Sequence, residues 1–387
     1  MAFSSINNLS PTLFNMFISD MLMHVNGTPL QYADDMSIIL SCNSNIRLKE
    51  ITQDTCNKLT SWLQYWRLKA NCTKTDFLVF QGECPTPSLS NEKINNSLST
   101  KVLGIEIDNK LSFKQQINAS LKTFNSKWKL LKPFIFRNLK VLTTRKILKT
   151  VIIPKVCYLA HIWDTQGKLC IYSALKDMLR VPFSPPADQL HVFAHIRPLP
   201  LQYTHSRLTL IGKLIDSNCT DILLSNDKSK ITQSVKHDCC KFLQVRKIDL
   251  NTKFELHNFK KANIEKHITQ KWKNSITNSC LHSGTNYEIL HLLSDVTSII
   301  DKIPLYRRPR LVSSLCALLT EHSRLQLHLY KLKLTFSPTC IWIAEDETSI
   351  HFLSECKLFS HIRNRTKPMP EDWHSIIDFI KGTGRLP

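Results

Sequence analysis

Between Asp108 and Asp164 the chain carries no acidic residue, while the same stretch holds twelve basic ones: Lys110, Lys114, Lys122, Lys127, Lys129, Lys132, Arg137, Lys140, Arg145, Lys146, Lys149 and Lys155. Apolar side chains are threaded through it at helical spacing, with Ile117, Leu121, Phe124, Trp128 and Leu131 on one face. Such a segment can bury one helical face and present a strongly positive one. Ordinary surface helices mix signs for i,i+4 support, so the lack of acids argues against a merely solvated face. Clustered Lys and Arg on a helical face is the electrostatic footprint of phosphate contact. It points to nucleic acid and says nothing about sequence preference.

The whole chain leans the same way. Its 387 residues include 51 Lys and Arg against 31 Asp and Glu, a formal charge of +20. That surplus calls for a polyanionic partner, nucleic acid before an anionic membrane. With 42% apolar residues, a chain of this length can bury a real core and form two or three domains. Thirteen cysteines are scattered without a paired framework, and no signal peptide is visible. The expectation is reduced thiols in an intracellular protein, and a DNA target would place it in the nucleus. No apolar run approaches the roughly 18 residues that span a bilayer, so no membrane partner is expected.

Upstream of the basic stretch the pattern changes. Ser10 and Pro11 can start a helix with Leu13, Phe14, Phe17, Ile18 and Met21 as its stripe. Period-two runs follow, Leu30 and Tyr32 before Asp34-Asp35, and Met36, Ile38 and Leu40 after them, reading as strand–turn–strand. A long amphipathic helix carries Ile51, Thr55, Leu59, Trp62 and Trp66. "KTDFLVF" (74–80) reads as a strand, "GECPTPSLSNEK" (82–93) as a loop, and "KVLGIEIDNKLSF" (101–113) as a hairpin turning at Asp108-Asn109. Residues 1–113 therefore predict an α+β unit, a small antiparallel sheet backed by helices. Residues 114–216 read as basic helices, broken by the three prolines of 180–190. The span 217–285 reads as a polar connection, partly helical near 262–276, and 286–387 as mostly helical, with helices near 286–301 and 308–332. No internal repeat is present.

Asp34 and Asp35 are adjacent carboxylates between two apolar runs, and they repel each other unless a cation or solvent intervenes. In a surface turn such a pair is harmless. At the edge of a packed sheet it could hold Mg²⁺ against phosphate oxygens. Two-metal phosphoryl transfer needs carboxylates from more than one strand, so a partner carboxylate is required.

Several segments, in order, resemble the C-terminal part of the reverse transcriptases of non-LTR (LINE-type) retrotransposons. "LSPTLFNMFISDM" (9–21) is similar to the helix after the template-positioning loop, and "QYADD" (31–35) to the catalytic hairpin. "WLQYWRLKANCTKTDFLVF" (62–80) resembles the Trp-x-x-x-Trp helix and the lysine-bearing strand after it. "VLGIEIDNKLSF" (102–113) resembles the Leu-Gly primer-grip hairpin, and "RKILKTVIIPKVCYLAHIW" (145–163) the thumb helix. Residues 318–363 are similar to the Cys/His-bearing tail, and "FIKGTGRLP" (379–387) to the closing stretch. The resemblance implies RNA-templated DNA synthesis with Mg²⁺, on an RNA template with a DNA primer or on an RNA–DNA hybrid. It implies a partial palm over 1–113 and a thumb over 114–216. It makes Asp34 the principal metal ligand, Asp35 the weaker one, Lys74 the proton donor to pyrophosphate, and Leu103 and Gly104 the primer contacts. An exposed strand-end lysine is the competing reading of Lys74, and core packing that of Trp62 and Trp66. Lys114, Lys122, Lys127, Lys129, Lys132, Arg145, Lys146 and Lys149 would meet the nucleic-acid backbone.

The sequence also departs from that family. Only 31 residues precede Tyr32, and Asp20 is the sole acidic one among them, at a position where the family has a non-ligand Asp. The family's Gln-Gly before "LSP" is replaced by Ser5 and Ile6, and a β-branched residue cannot supply glycine's conformations. The expectation is a truncated polymerase, inactive alone, or a non-catalytic nucleic-acid-binding remnant, or a reading frame without selected function. In the tail, Cys340, His351 and Cys356 stand where the family has zinc ligands, but Ile343 replaces the second cysteine. Three ligands give an open or weak Zn²⁺ site, with His361 as a conceivable recruit, against the competing reading of a packed tail with ordinary thiols. No phosphate-binding glycine loop, Gly-x-Ser-x-Gly elbow or His-Glu-x-x-His motif is present. Oligomeric state is not legible.

Overall fold

The computed structural model describes residues 12–80, 82–137, 139–164, 170–181, 184–218, 230–244, 258–283, 309–342, 344–368 and 373–385. The expected start at Ser10-Pro11 and the helix near 286–301 lie outside them. The chain divides into two compact units, Met1–Asn118 and Ala119–Pro387.

The first unit is built on two helices. Helix α1 (12–18) tightens into a 3₁₀ turn, Ser19–His24, and α2 spans Asn45–Tyr65. Apolar residues three and four apart put Leu59, Trp62 and Leu63 of α2 against Ile18 and Met21. Cys72, Leu89 and Ile94 close that core. Trp62 is buried as the core reading expects, whereas Trp66 at the helix end is 38% exposed, its ring 4.9 Å from that of Phe17.

Among the described residues the strands form four separate two-stranded ladders instead of one sheet. β1 (Thr28–Tyr32) and β2 (Asp35–Ile39) pair antiparallel, with Tyr32 opposite Asp35. β3 (Asp76–Phe77) runs parallel to β6 (Asn95–Asn96). β4 (Ser88–Leu89) and β5 (Glu92–Lys93) form a small hairpin inside what composition marks as loop, turning on Ser90 and Asn91 at positive φ. β7 (Ser99–Val102) and β8 (Ile105–Asp108) form the last ladder. The expectation of a sheet backed by helices is corrected here. Leu30, Tyr32 and Ile39 on one face of β1–β2 are 53%, 69% and 53% exposed, so that face packs on no described element. Met36, on the other face, is the hairpin's contribution to the core. Gly27 fixes the approach to β1, because a Cβ there would collide with the Ile39 carbonyl oxygen.

A second correction concerns the β7–β8 turn. It is made by Leu103 (φ 47°) and Gly104 (φ 87°), the two positive φ values of a type I′ hairpin, and not by Asp108-Asn109. Asp108 has another task. Its carboxylate accepts the backbone N–H groups of Lys110, Ser112 and Phe113 at 3.0, 3.0 and 2.7 Å, which shapes the lead into α3 (Lys114–Arg137). Gly104 is thus a turn glycine and not a strand glycine.

The second unit is helical. α3 buries Phe124, Trp128 and Ile135. α4 (Val141–Ile147) continues through a π turn, Leu148–Ile152, into α5 (Ile153–Val156). Pro154 has no N–H for the carbonyl one turn back, and the wider turn absorbs that missing bond. α6 (Ala160–Trp163), α7 (Tyr172–Leu179) and α8 (Ala187–Ala194) follow, with Arg180 in the left-handed region ending α7 at the start of the proline-rich break. α9 (Leu199–Asp216) packs against α10 (Lys230–Leu243) and α11 (Lys261–Ser283). Helix α10 falls inside the span read as a polar connection. Its apolar stripe is thin, and Asp238, 4% exposed, anchors it instead by accepting from Arg207 at 2.7 Å. α12 (Pro309–Leu319), α13 (Gln326–Lys331), α14 (Ser360–Thr366) and α15 (Trp373–Thr383) complete the unit, α12 packing on α7 and α15. Among the described residues no helix is long and apolar enough to cross a membrane.

Candidate functional site

The β1–β2 turn sets out the two carboxylates. Ala33 takes φ 52°, a left-handed conformation rare for a residue with a Cβ, and the Gln31 side-chain amide donates to its carbonyl at 3.3 Å. Asp34 lies in the turn and Asp35 opens β2, both exposed. Neither carboxylate has a hydrogen bond or ion pair among the described residues. Asp20 is no partner for them: its Oδ1 accepts the indole N–H of Trp62 at 3.2 Å. Among the described residues, the clusters of three possible metal ligands all lie in the C-terminal region, so no third group converges on Asp34 and Asp35. Two neighbouring carboxylates on one exposed turn do not by themselves fit a two-metal centre, which draws its ligands from more than one element.

Lys74 is exposed and ends a 3₁₀ turn, Cys72–Lys74, so it precedes the strand it was expected to sit on. Leu103, 45% exposed, and Gly104 form the β7–β8 tip. Burial weakens the acidity of Asp108, but the Ser112, Phe113 and Lys110 amides outweigh it and hold the carboxyl below the usual range.

In the second unit the basic residues of α3 fall beside its buried stripe. Lys122, Lys129 and Lys132 share an arc of about 80° at ~100° per residue, and all three are exposed. Lys132 pairs with Asp177 at 3.1 Å and lies 5.9 Å from the Phe136 ring centroid, whereas Lys122 and Lys129 have no partner among the described residues. Lys127 is half-buried, and Lys114 and Lys146 are exposed. Arg145 is half-buried with Nη1 3.2 Å from His195 Nδ1. Lys149 is solvent-exposed, yet desolvation by its neighbours, then the charges of Arg145 and Arg197, holds it below its usual range. His195 and Arg197 joining this positive cluster was not legible, because they come from a distant segment.

The tail brings three expected ligands together. Cys340 is 5% exposed, His351 2% and Cys356 0%, and their ligand atoms lie within 4.8 Å of one another. The thiols are 3.9 Å apart. Both ring nitrogens of His351 are buried without a hydrogen-bond partner. Burial first, then the Cys340 thiol and Glu347, raises the Cys356 thiol above its usual range. A buried imidazole beside two thiols is a donor set that fits zinc, and it gives the three ligands of the expected open site. His361 is exposed and outside the cluster. Sequence reading missed Glu345 and Glu355, each with an oxygen 3.6 Å from His351 Nδ1. The i,i+4 spacing of His351 and Glu355 was the available signal.

Residues 7–107 match the family of reverse transcriptases (RNA-dependent DNA polymerases), a segment that holds the hairpin and the β7–β8 turn. Over that segment the chain is thus similar to reverse transcriptases. Within that class it is similar to the polymerases of non-LTR mobile elements. The protein named RNA-directed DNA polymerase from mobile element jockey of Drosophila melanogaster is 29% identical over 130 residues, 31% of this chain and 14% of that protein. Its namesake in Drosophila funebris is 23% identical over 177 residues, 41% of this chain and 19% of that protein. The matches therefore span less than a fifth of these relatives. No solved structure matches the chain.

Proposed function

We propose that this chain is a nucleic-acid-binding part of an RNA-directed DNA polymerase of a non-LTR element, with a partial palm in its first unit. Asp34 and Asp35 are two of the ligands of a Mg²⁺ site whose remaining carboxylate is not among the described residues. On this reading the chain alone binds a primer–template and does not extend it. Leu103 and Gly104 meet the primer strand, Lys74 stands near the leaving pyrophosphate, and the lysines of α3 and α4 with Arg145 meet phosphates. Cys340, His351 and Cys356 hold a structural Zn²⁺ that fastens the tail.

The observation that carries this reading is the exposed, unpartnered carboxylate pair on a two-residue turn within the reverse-transcriptase segment. Fluorescence anisotropy with an RNA–DNA hybrid tests the binding half. The expected result is binding that weakens steeply with salt. Absence of salt-dependent binding at low ionic strength would remove it.

A further inference from the structure

The junction between α8 and α9 brings His195 and Arg197 to the segment that carries Arg145 and Lys149. Its backbone is held at two carbonyls. His191 Nδ1 donates to that of Ile196 at 2.8 Å, and the Gln202 side-chain amide to that of Arg197 at 2.6 Å. His195 takes φ 51°, which turns the chain out of α8, and its Nδ1 lies 3.2 Å from Arg145 Nη1. A guanidinium has only donors, so this Nδ1 accepts and the imidazole is neutral, with its proton on Nε2. Lys149 lies close enough to feel the charges of Arg145 and Arg197. An anion already sits at one side of this cluster. Arg197 Nη2 donates to Glu265 Oε1, and its Nη1 is 3.5 Å from Oε2, the forked arrangement in which arginine takes an oxyanion. The hydrogen bond from Arg197 outweighs burial and holds the Glu265 carboxyl below its usual range.

We propose that Arg145, Lys149 and Arg197 form a site for one backbone phosphate of nucleic acid, in which Glu265 holds the phosphate's place on Arg197 until the strand binds. The inference rests on the nucleic-acid reading above and adds to it a second wall, Arg197, and a resident competitor, Glu265. Gathering like charges is costly unless an anion joins them, and the Glu265 carboxylate shows that the Arg197 fork takes one. A phosphodiester presents two charged oxygens, as a carboxylate does, so it fits the same fork. Glu265 and Arg197 are both half-buried, with side chains 47% and 23% exposed, so solvent reaches the pair and the two anions can exchange there. Arg145 and Lys149 supply the further charge that favours the phosphate. His195 is a positioning residue that fixes the Arg145 guanidinium.

Anisotropy titrations of an RNA–DNA hybrid with the full chain across a salt series test the assignment. Arg197→Gln and Lys149→Gln should each flatten the slope of log affinity against log salt by about 0.9. Glu265→Gln should tighten binding about 1.5- to 5-fold, the worth of the exposed ion pair that no longer competes. That gain should vanish when Arg197→Gln is combined with it. Asp378→Asn removes a carboxylate of α15 that pairs with Lys381 at 2.6 Å, and it should change neither quantity. Unchanged or weaker binding in Glu265→Gln would overturn the assignment. So would an equal gain in Asp378→Asn, a gain that survives Arg197→Gln, or an unchanged slope in Arg197→Gln. A chain whose hybrid binding shows no salt dependence would overturn the nucleic-acid reading itself, an outcome distinct from the others.

Discussion

Neutralising Lys122 and Lys129 of α3 should remove a countable part of the salt dependence of nucleic-acid binding. Both ammonium groups are exposed, and neither is compensated by a carboxylate among the described residues. Each lysine that neutralises a phosphate contributes a slope of about −0.9 in log affinity against log salt. The pair Lys122→Gln and Lys129→Gln should therefore flatten that slope by about 1.8. Doubling the salt should then cost the unaltered chain about 3.5-fold more affinity than the variant. Glutamine keeps most of the stem that covers the helix surface. Lys132→Gln is the internal comparison. Its charge is already shared with Asp177, which also accepts from the Trp128 indole at 2.9 Å. Its removal should change the slope by clearly less than 0.9. Anisotropy titrations of a duplex across a salt series supply the slopes. An unchanged slope in the double variant, or a larger change in Lys132→Gln, would refute the assignment of this face.

Two further outcomes follow from the packing. Asp108→Ala strips three backbone amides of their acceptor and should cost about 1–2 kcal/mol, as for lost helix caps. Hydrogen exchange of Ser112 and Phe113 should accelerate, and unchanged protection would contradict that role. Acid should also destabilise the second unit before its carboxylates titrate. Burial, the largest cause in each case, depresses His161, His191, His205 and His267, and with His322 and Lys331 it lowers His328 to about 4. An imidazole whose folded value lies below its unfolded one contributes stability present above about pH 6.5 and lost as pH falls through the folded value. Thermal midpoints should fall from pH 7 to pH 5, and a flat profile would contradict this.

What was legible in the sequence tracks where one local signal dominates. The β1–β2 hairpin and the faces of α2 and α3 follow from period two and period 3.6, and the structure reproduces them. The β7–β8 turn was misplaced because Asp-Asn is the better turn pair by composition, while Asp108 is used to hold downstream amides. Helix α10 was hidden because the ion pair of Asp238 with Arg207 does part of the anchoring that apolar periodicity would otherwise report. The cation cluster around Lys149 depends on His195 and Arg197, which only the fold brings near. Cys340, His351 and Cys356 were readable in order, but their burial together within 4.8 Å is set by the fold.

On the proposed reading, Asp34 and Asp35 are two ligands of a polymerase site that needs a further carboxylate. Primer extension on an RNA template with Mg²⁺ compares the chain with Asp34→Ala, at protein concentrations that saturate the hybrid. Equal hybrid binding and no incorporation above the variant's background are expected. Incorporation by the unaltered chain that disappears in Asp34→Ala would contradict it, and would mean that these residues already complete the metal site.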